Sequence, residues 1–194
     1  MRQLDAVAAR LLPALAGQAP ILPDAGQVCY VDLDDTVKAT HGYPKQGAGY
    51  GYSGVKGLNA LIATVCTPTS PPLIVATRLR RGGTNSARGA ARIVADAMAT
   101  TRACGGSGLV ILRADSAYYG RDVIAAARRG GAKFSITARM DPASGDLEHP
   151  GLDLGGDPLP ERDLGPGAAA VHLRRAGHRG PEHPRSPPAV SPSR

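Results

Sequence analysis

The sequence predicts an α/β protein built on one mixed β-sheet, with its elements in the order β-β-β-α-β-α-β. Short apolar runs bounded by glycine or proline have the length of buried strands, and the first three follow one another without a helix. Two later segments repeat apolar residues at helical spacing, and each ends at a pair of glycines. A chain of 194 residues can bury one core and carry an appendage.

The first 22 residues are expected to form a helical connector that precedes the sheet. Met1 to Gly17 is rich in alanine and leucine in an amphipathic pattern, and Gly17 and Pro20 close it. Pro13 lies inside this pattern and is expected to break the helix, because it lacks an N–H group and its ring clashes with the preceding turn.

The next three runs are predicted to be strands. The first is Gln27 to Leu33, which a glycine-rich loop over 42–57 follows. The second and third, 60–66 and 73–77, are separated by a segment whose prolines exclude a helix. These two runs are therefore predicted to pair as an antiparallel hairpin.

The second half of this region alternates helix and strand. Thr84 or Asn85 is expected to cap a helix from Ser86 to about Cys104. A strand from Leu109 to Arg113, a helix over 120–129 and a strand over 133–138 follow. This order is that of the ribonuclease H-like fold, in which the first and fourth strands are neighbours.

The composition changes at Asp141. The last 54 residues contain 10 prolines, 8 glycines and no aromatic residue. Such a segment buries too little surface to offset the entropy cost of ordering, so residues 141–194 are expected to be a disordered tail behind a partial domain at 23–140. The tail holds four of the five histidines, which are expected not to form a metal site: His149, His172, His178 and His183.

Charge and cysteine content limit the class of protein. Residues 1 to 140 carry 17 Lys and Arg against 8 Asp and Glu, which favours a polyanionic partner. No apolar run has the length of a membrane span and the first residues lack signal-peptide order, so a cytoplasmic protein is expected. Cys29, Cys66 and Cys104 lack the paired spacing of a zinc site and are expected to be reduced core residues.

Two of the predicted strands end in carboxylates. Asp32, Asp34 and Asp35 occur within four positions at the end of the first strand, and Asp115 follows the fourth. Carboxylates this close repel one another unless a cation or a proton relieves them, so a divalent metal and phosphate chemistry are inferred. Because ligands bind at the carboxyl ends of strands in open α/β sheets, Asp34 and Asp115 are expected to share a metal.

Other interpretations of these motifs stay open. The DxDxT pattern also fits haloacid-dehalogenase-like Mg²⁺-dependent phosphatases, with Asp32 as nucleophile, Asp34 as proton donor and Asp115 with Asp122 as the metal pair. A third reading is that the aspartates only close a strand and cap a turn. The GxGxxG match at 49–54 is interpreted as a loop, because no helix opens within it.

Six basic residues near the acids are predicted to contact DNA phosphates without reading bases. Lys45 and Lys56 lie in or beside the glycine-rich loop. Arg78, Arg80 and Arg81 follow the third strand, and Arg113 precedes Asp115.

Five motifs in order resemble bacterial insertion-sequence transposases of the DDE class, over about residues 20 to 140. They are Asp32-Leu-Asp-Asp-Thr36, the glycine loop 47–54, Arg78 to Gly82 with Asn85, Arg113 to Ala117 and Ala132 to Ser135. The resemblance implies a ribonuclease H-like core in which two aspartates and a glutamate hold two Mg²⁺ or Mn²⁺ ions. It implies that such a chain cuts transposon ends, joins them to target DNA and can assemble as a homo-oligomer. Asp34 and Asp115 match the family's two aspartates, with Asp32 as a supporting acid.

The chain departs from that family at the third acid. The glutamate belongs on a helix after the last predicted strand, whereas Glu148, Glu161 and Glu182 all lie in the proline-rich tail, and none is nominated. The change near Pro142 is typical of translation out of frame. The chain is therefore expected to be a truncated or frameshifted copy that does not cut or join DNA by itself, with a non-catalytic DNA-binding remnant as the alternative.

Overall fold

The computed structural model describes residues 2–51, 53–139 and 170–174, which form α-helices on a mixed β-sheet. The helices are α1 (Arg2–Ala16), α2 (Ala90–Ala103) and α3 (Arg121–Arg129). The strands are β1 (Val28–Ala39), β2 (Gly49–Tyr50), β3 (Lys56–Cys66), β4 (Leu73–Arg81), β5 (Leu109–Ala114), β6 (Lys133–Arg139) and β7 (Ala170–Arg174). The predicted α/β class with a mixed sheet is confirmed.

The sheet combines antiparallel and parallel pairing. Its order is β2-β3-β1-β5-β6-β7, and β4 also pairs with β3. The pairs β1/β3 and β3/β4 are antiparallel, as the predicted hairpin requires, whereas β5 pairs in parallel with both β1 and β6. The sequence predicts that the first strand and the strand before Asp115 are neighbours. These strands are β1 and β5, and they do lie side by side.

The helices in the described part cover one face of this sheet. Strands β1 and β3 alternate buried and partly exposed residues, and the buried set includes Cys29, Val31 and Leu33. Helix α2 packs on β1, β3 and β4, while α3 packs on α2 and β6. Large apolar side chains that remain exposed on strands are Ile74, Leu79 and Leu109, with exposed fractions of 54%, 40% and 47%.

Strand β1 is longer than the sequence predicts. It runs to Ala39, because residues beyond Leu33 keep pairing with β3 as far as Ala39 opposite Gly57. The prediction that the strand ends at the acidic cluster is therefore wrong. Asp32, Asp34 and Asp35 lie within the strand, so alternate residues point to opposite faces of the sheet.

Three further element boundaries differ from the prediction. Helix α1 continues through Pro13, and its last turn stays closed by the bond from the Gly17 N–H to the Pro13 carbonyl, at 3.1 Å. Strand β4 runs to Arg81, because its later residues pair with β3. Helix α2 begins at Ala90 rather than Ser86, because Gly89 is its N-cap residue and has a left-handed conformation with a φ of 79°. Neither Thr84 nor Asn85, the predicted caps, therefore caps this helix.

The predicted tail contains one strand in the described residues. Ala170–Arg174 pairs in parallel with β6, so the prediction of no regular element after 140 is wrong there. The added strand covers an edge of β6 whose backbone groups would otherwise lack sheet partners. His172 lies in this strand, and the other tail histidines and glutamates lie outside the described residues.

The cysteines match the prediction of reduced residues in or near the core. Cys29 and Cys104 are buried free thiols, and burial raises the pKa of both. Cys66 is a free thiol of intermediate exposure. No helix in the described part of the chain has the length and apolar character needed to cross a membrane.

Candidate functional site

Asp34 and Asp115 lie at adjacent positions on neighbouring strands. The parallel register of β1 and β5 pairs Asp32 with Arg113 and ends at Leu33 opposite Ala114. The side chains of Asp32 and Arg113 meet across the two strands, so both point to one face of the sheet. Asp34 and Asp115 each follow two residues later and therefore belong to that same face. Neighbouring strands are about 4.8 Å apart, and both aspartates are exposed just beyond the last register pair of β1 and β5, Leu33 opposite Ala114.

Local hydrogen bonds orient both carboxylates. Asp34 Oδ1 accepts the backbone N–H of Asp35 at 2.7 Å. Asp115 has extended backbone angles, and its Oδ1 accepts the N–H of Ala117 at 2.9 Å, which caps a short 3-10 turn over Ser116–Tyr118. Each carboxylate thus keeps a defined direction at the surface of the sheet.

Asp32 is engaged by an arginine. Its two oxygens accept from Arg113 Nε at 2.6 Å and Nη2 at 2.7 Å, and the guanidinium lies 4.6 Å above the centre of the Tyr30 ring. This hydrogen bond raises the pKa of Arg113. A carboxylate held on both oxygens is poorly placed to attack phosphorus, so the geometry does not favour Asp32 as a nucleophile.

Asp35 is the residue that the sequence interpretation overlooked. It points to the helix-covered face, where its side chain is 16% exposed and pairs with the 6% exposed side chain of Arg80 at 2.7 Å. Asn59 Nδ2 donates to the same carboxylate at 2.5 Å, and Ser86 Oγ lies 3.1 Å from each of its oxygens. Asp34 and Asp35 have the same side chain and differ only in the face of the strand that each occupies. Residue type alone does not show this difference.

Arg80 connects this cluster to the start of α2. Its Nη1 donates to the backbone carbonyls of Asn85, Ser86 and Arg88 at 3.3, 2.9 and 2.8 Å. Its Nε and Nη2 both donate to Asn59 Oδ1. Burial lowers the pKa of Arg80, and the charge of Asp35 opposes this effect. A buried guanidinium with every nitrogen bonded does not belong in a DNA-contacting set, which corrects the prediction for Arg80.

Tyr118 lies beside the same carboxylate. Its side chain is 1% exposed and its hydroxyl completes no hydrogen bond within the described residues. Burial, and then the charge of Asp35, raise the pKa of this phenol far above its ordinary value. Tyr118 belongs to the 3-10 turn that Asp115 caps.

The glycine-rich motifs meet one another instead of cradling a ligand. Gly49 pairs with Gly57 between β2 and β3, and the N–H of Gly82 donates to the Gly47 carbonyl at 3.0 Å. A Cβ on Gly82 would collide with the carbonyl oxygens of Gly49 and Gly57. The glycines therefore permit close backbone packing, and Gly49–Tyr50 forms strand β2 instead of lying in a loop.

The remaining predicted DNA contacts fall into two groups. Arg78 pairs with Asp96 at 3.5 Å and Arg113 with Asp32. Lys45, Lys56 and Arg81 are exposed near one end of β2, β3 and β4. The register also brings Lys38, on β1, and Arg81, on β4, to either side of Leu58. The sequence interpretation did not include Lys38, because its position beside Arg81 depends on the pairing of three strands.

The carboxylates of Asp34 and Asp115 have the right chemistry for a hard divalent cation, but two carboxylates are too few for a complete site. Carboxylate oxygens are the ligands that Mg²⁺ prefers, and Asp34 and Asp115 supply two such groups. Among the residues that the structure describes, no group of three or more His, Cys, Asp or Glu side chains is placed to hold a metal ion. The described residues therefore provide part of a two-metal site, and no catalytic step is derived from them.

Comparisons with known proteins give limited similarity. No protein-family model and no curated protein matches the sequence. The crystal structure of the Mos1 strand transfer complex has a TM-score of 0.31 and 14% identity, over 66% of this chain and 38% of that one. The Mos1 transposase paired-end complex with left transposon end has a TM-score of 0.31 and 15% identity, over 69% of this chain and 41% of that one. This chain thus spans less than half the length of either, and a likeness of this size assigns neither a family nor an activity.

Proposed function

We propose that this chain carries part of the ribonuclease H-like catalytic core of a DDE-class DNA transposase of the bacterial insertion-sequence type. In this proposal Asp34 and Asp115 are two of the carboxylates that hold Mg²⁺ or Mn²⁺. One observation supports it: β1 pairs in parallel with β5, and Asp34 and Asp115 directly follow the last register pair of these strands, Leu33 opposite Ala114. The motif resemblance independently selects the same two aspartates.

The surroundings of the two acids fit a polyanionic substrate. Asp34 lies opposite Ile62 on β3, four residues from Leu58, where Lys38 and Arg81 flank the strand. At about 3.3 Å per residue, these cations are about 13 Å from the acids along the sheet. A phosphate backbone held by the cations can run towards the carboxylates.

The proposed metal supplies Lewis acidity that polarises a phosphate oxygen and lowers the pKa of bound water. The contribution of the chain is to hold and orient two carboxylates on a rigid pair of strands. Because the described residues lack a third acid at this site, we expect the chain to bind a metal weakly. We also expect it neither to cut nor to join DNA on its own.

Manganese binding to the full chain tests the proposal. Free Mn²⁺ is measured by electron paramagnetic resonance during titration of the wild type and of the variants Asp34→Asn and Asp115→Asn. Loss of either ligand should weaken binding by at least about tenfold, as loss of supporting groups at metal sites already does. Asp122→Asn is the matched control, because Asp122 is an exposed acid on α3.

Two results would contradict the proposal. Equal Mn²⁺ affinity in the wild type and in Asp34→Asn would remove Asp34 from the site. Binding that depends on Asp122, together with hydrolysis of p-nitrophenyl phosphate that Asp32→Asn abolishes, would instead indicate the phosphatase interpretation.

A further inference from the structure

A cluster of four side chains lies directly behind the two proposed metal ligands, on the opposite face of the sheet. Asp35 is at its centre, and Arg80, Asn59 and Ser86 all donate to its carboxylate. These donors come from β4, β3 and the segment before α2. The carboxylate of Asp35 therefore joins three separate parts of the chain to strand β1.

The cluster is connected to Asp34 through the backbone. Asp35 follows Asp34, and its N–H donates to Asp34 Oδ1 at 2.7 Å. When the side chain of Asp35 is fixed from behind, its N–H group and the plane of the preceding peptide are fixed as well. The direction of the Asp34 carboxylate then depends on how firmly Asp35 is held.

Tyr118 belongs to the turn that Asp115 caps, and its N–H donates to the Asp115 carbonyl at 3.2 Å. The Tyr118 hydroxyl is buried and completes no hydrogen bond within the described residues, and the charge of Asp35 is among the causes that raise its pKa. A buried hydroxyl without a partner is rare in folded proteins because its desolvation is not compensated. An ionised carboxylate is the strongest acceptor that such a hydroxyl can meet.

We propose that Asp35, Arg80, Asn59, Ser86 and Tyr118 form a positioning network that fixes the Asp34 and Asp115 carboxylates relative to each other. The Tyr118 hydroxyl donates to Asp35 and so ties the turn that Asp115 caps to the strand that carries Asp34. The five residues are positioning residues, because none of them points to the face on which the metal would bind. This inference rests on the proposed function only in taking Asp34 and Asp115 as metal ligands.

Amide hydrogen exchange in the full chain tests the network without any metal. The Asp35 and Ala117 N–H groups report on the two carboxylates, because each donates to one of them. In Tyr118→Phe, which keeps the ring and removes the hydroxyl, both amides should exchange about tenfold faster, the size expected for one lost hydrogen bond. The amide of buried Leu112 should keep its rate, which excludes general unfolding.

Tyr119→Phe is the matched control. The Tyr119 hydroxyl is also buried without a partner in the described residues, but burial is the only cause that raises its pKa. Its removal should leave the Asp35 and Ala117 amides unchanged. Ser86→Ala, which removes another donor to Asp35, should accelerate the Asp35 amide. Unchanged exchange in Tyr118→Phe, or equal acceleration in Tyr119→Phe, would overturn the network.

A Mn²⁺ titration of the same variants separates this inference from the proposed function. Tyr118→Phe should lower Mn²⁺ affinity several-fold while Tyr119→Phe leaves it unchanged. If Asp34→Asn binds Mn²⁺ as the wild type does, the proposed function fails, and amide exchange still decides whether the network holds the carboxylates. If Asp34→Asn loses binding but Tyr118→Phe retains it fully, the proposed function stands and the positioning role fails.

Discussion

At the scale of single residues, two adjacent aspartates have opposite environments. Asp34 is exposed beside Asp115, whereas Asp35 is held behind the sheet by Arg80. A buried ion pair gives little net stability when it is complete, because desolvation of the two charges offsets their attraction. Removing one partner is costly, since the other charge stays buried without compensation.

We therefore predict that Arg80→Ala lowers the free energy of unfolding by about 3–5 kcal/mol, the usual cost of breaking a buried pair. Arg81→Ala is the control on the next residue, which is exposed. It should change stability by less than about 0.5 kcal/mol. Urea unfolding followed by circular dichroism measures both, and equal effects at the two positions would show that Arg80 is not a buried partner.

At the scale of elements, glycines determine how the loop 42–57 meets the end of β4. Gly57 and Gly82 bring backbone segments closer than a side chain permits, because a Cβ on Gly57 would collide with the Lys38 carbonyl and one on Gly82 with the carbonyls of Gly49 and Gly57. The sequence shows these glycines as a motif, but its spacing does not distinguish a phosphate loop from close packing of strands. The pairing of β2 and β3 distinguishes them.

Gly82→Ala should consequently destabilise the protein by about 1–3 kcal/mol, the cost of forcing additional atoms into a packed site. The added Cβ would collide with backbone oxygens, which cannot rotate away as a side chain can. Gly26→Ala serves as the control, because a Cβ there meets only Ser107 Oγ at an ordinary 3.7 Å. Thermal unfolding compares the two variants, and equal midpoints would contradict the close crossing at Gly82.

The elements also show where sequence interpretation is reliable. Apolar periodicity predicted the order of the long strands and of α2 and α3, because that pattern records which residues must be buried. Apolar periodicity placed the end of β1 at Leu33, because the apolar pattern stops there. The later residues of the strand are largely polar or exposed. Pairing with β3 continues the strand to Ala39. Strand β7 was missed for a related reason, because sheet pairing with β6 places a strand in a proline-rich segment.

At the scale of the whole molecule, the chain has a formal net charge of +7, and the cations of its described residues have different environments. Several cations that the sequence presents as equivalent are already paired with acids, such as Arg78 with Asp96 and Arg113 with Asp32. Lys38 and Arg81 are exposed on β1 and β4, on either side of β3. These two side chains are therefore expected to contribute more to DNA binding than the paired arginines do.

We predict that the chain binds duplex DNA with an affinity that falls linearly with salt on logarithmic axes. Lys38→Ala and Arg81→Ala should each reduce the slope by about 0.9, the value for one phosphate contact. Arg92→Ala is the control, because Arg92 is exposed on α2 and pairs with Asp96. Fluorescence anisotropy across a salt series measures the slopes. A slope that changes equally in all three variants would indicate a diffuse charge effect and not a DNA-contacting surface.

The sequence by itself determined the class of fold and the order of its main elements. The fold class and the element order follow from local patterns, because the spacing of apolar residues along the chain indicates which positions are buried. Only the tertiary structure decided which face each aspartate occupies and which cations are already paired. It also decided that Asp35, Arg80, Asn59 and Ser86 form one cluster. Such relations depend on the register between strands distant in sequence, and a register shift of one residue would reverse every face.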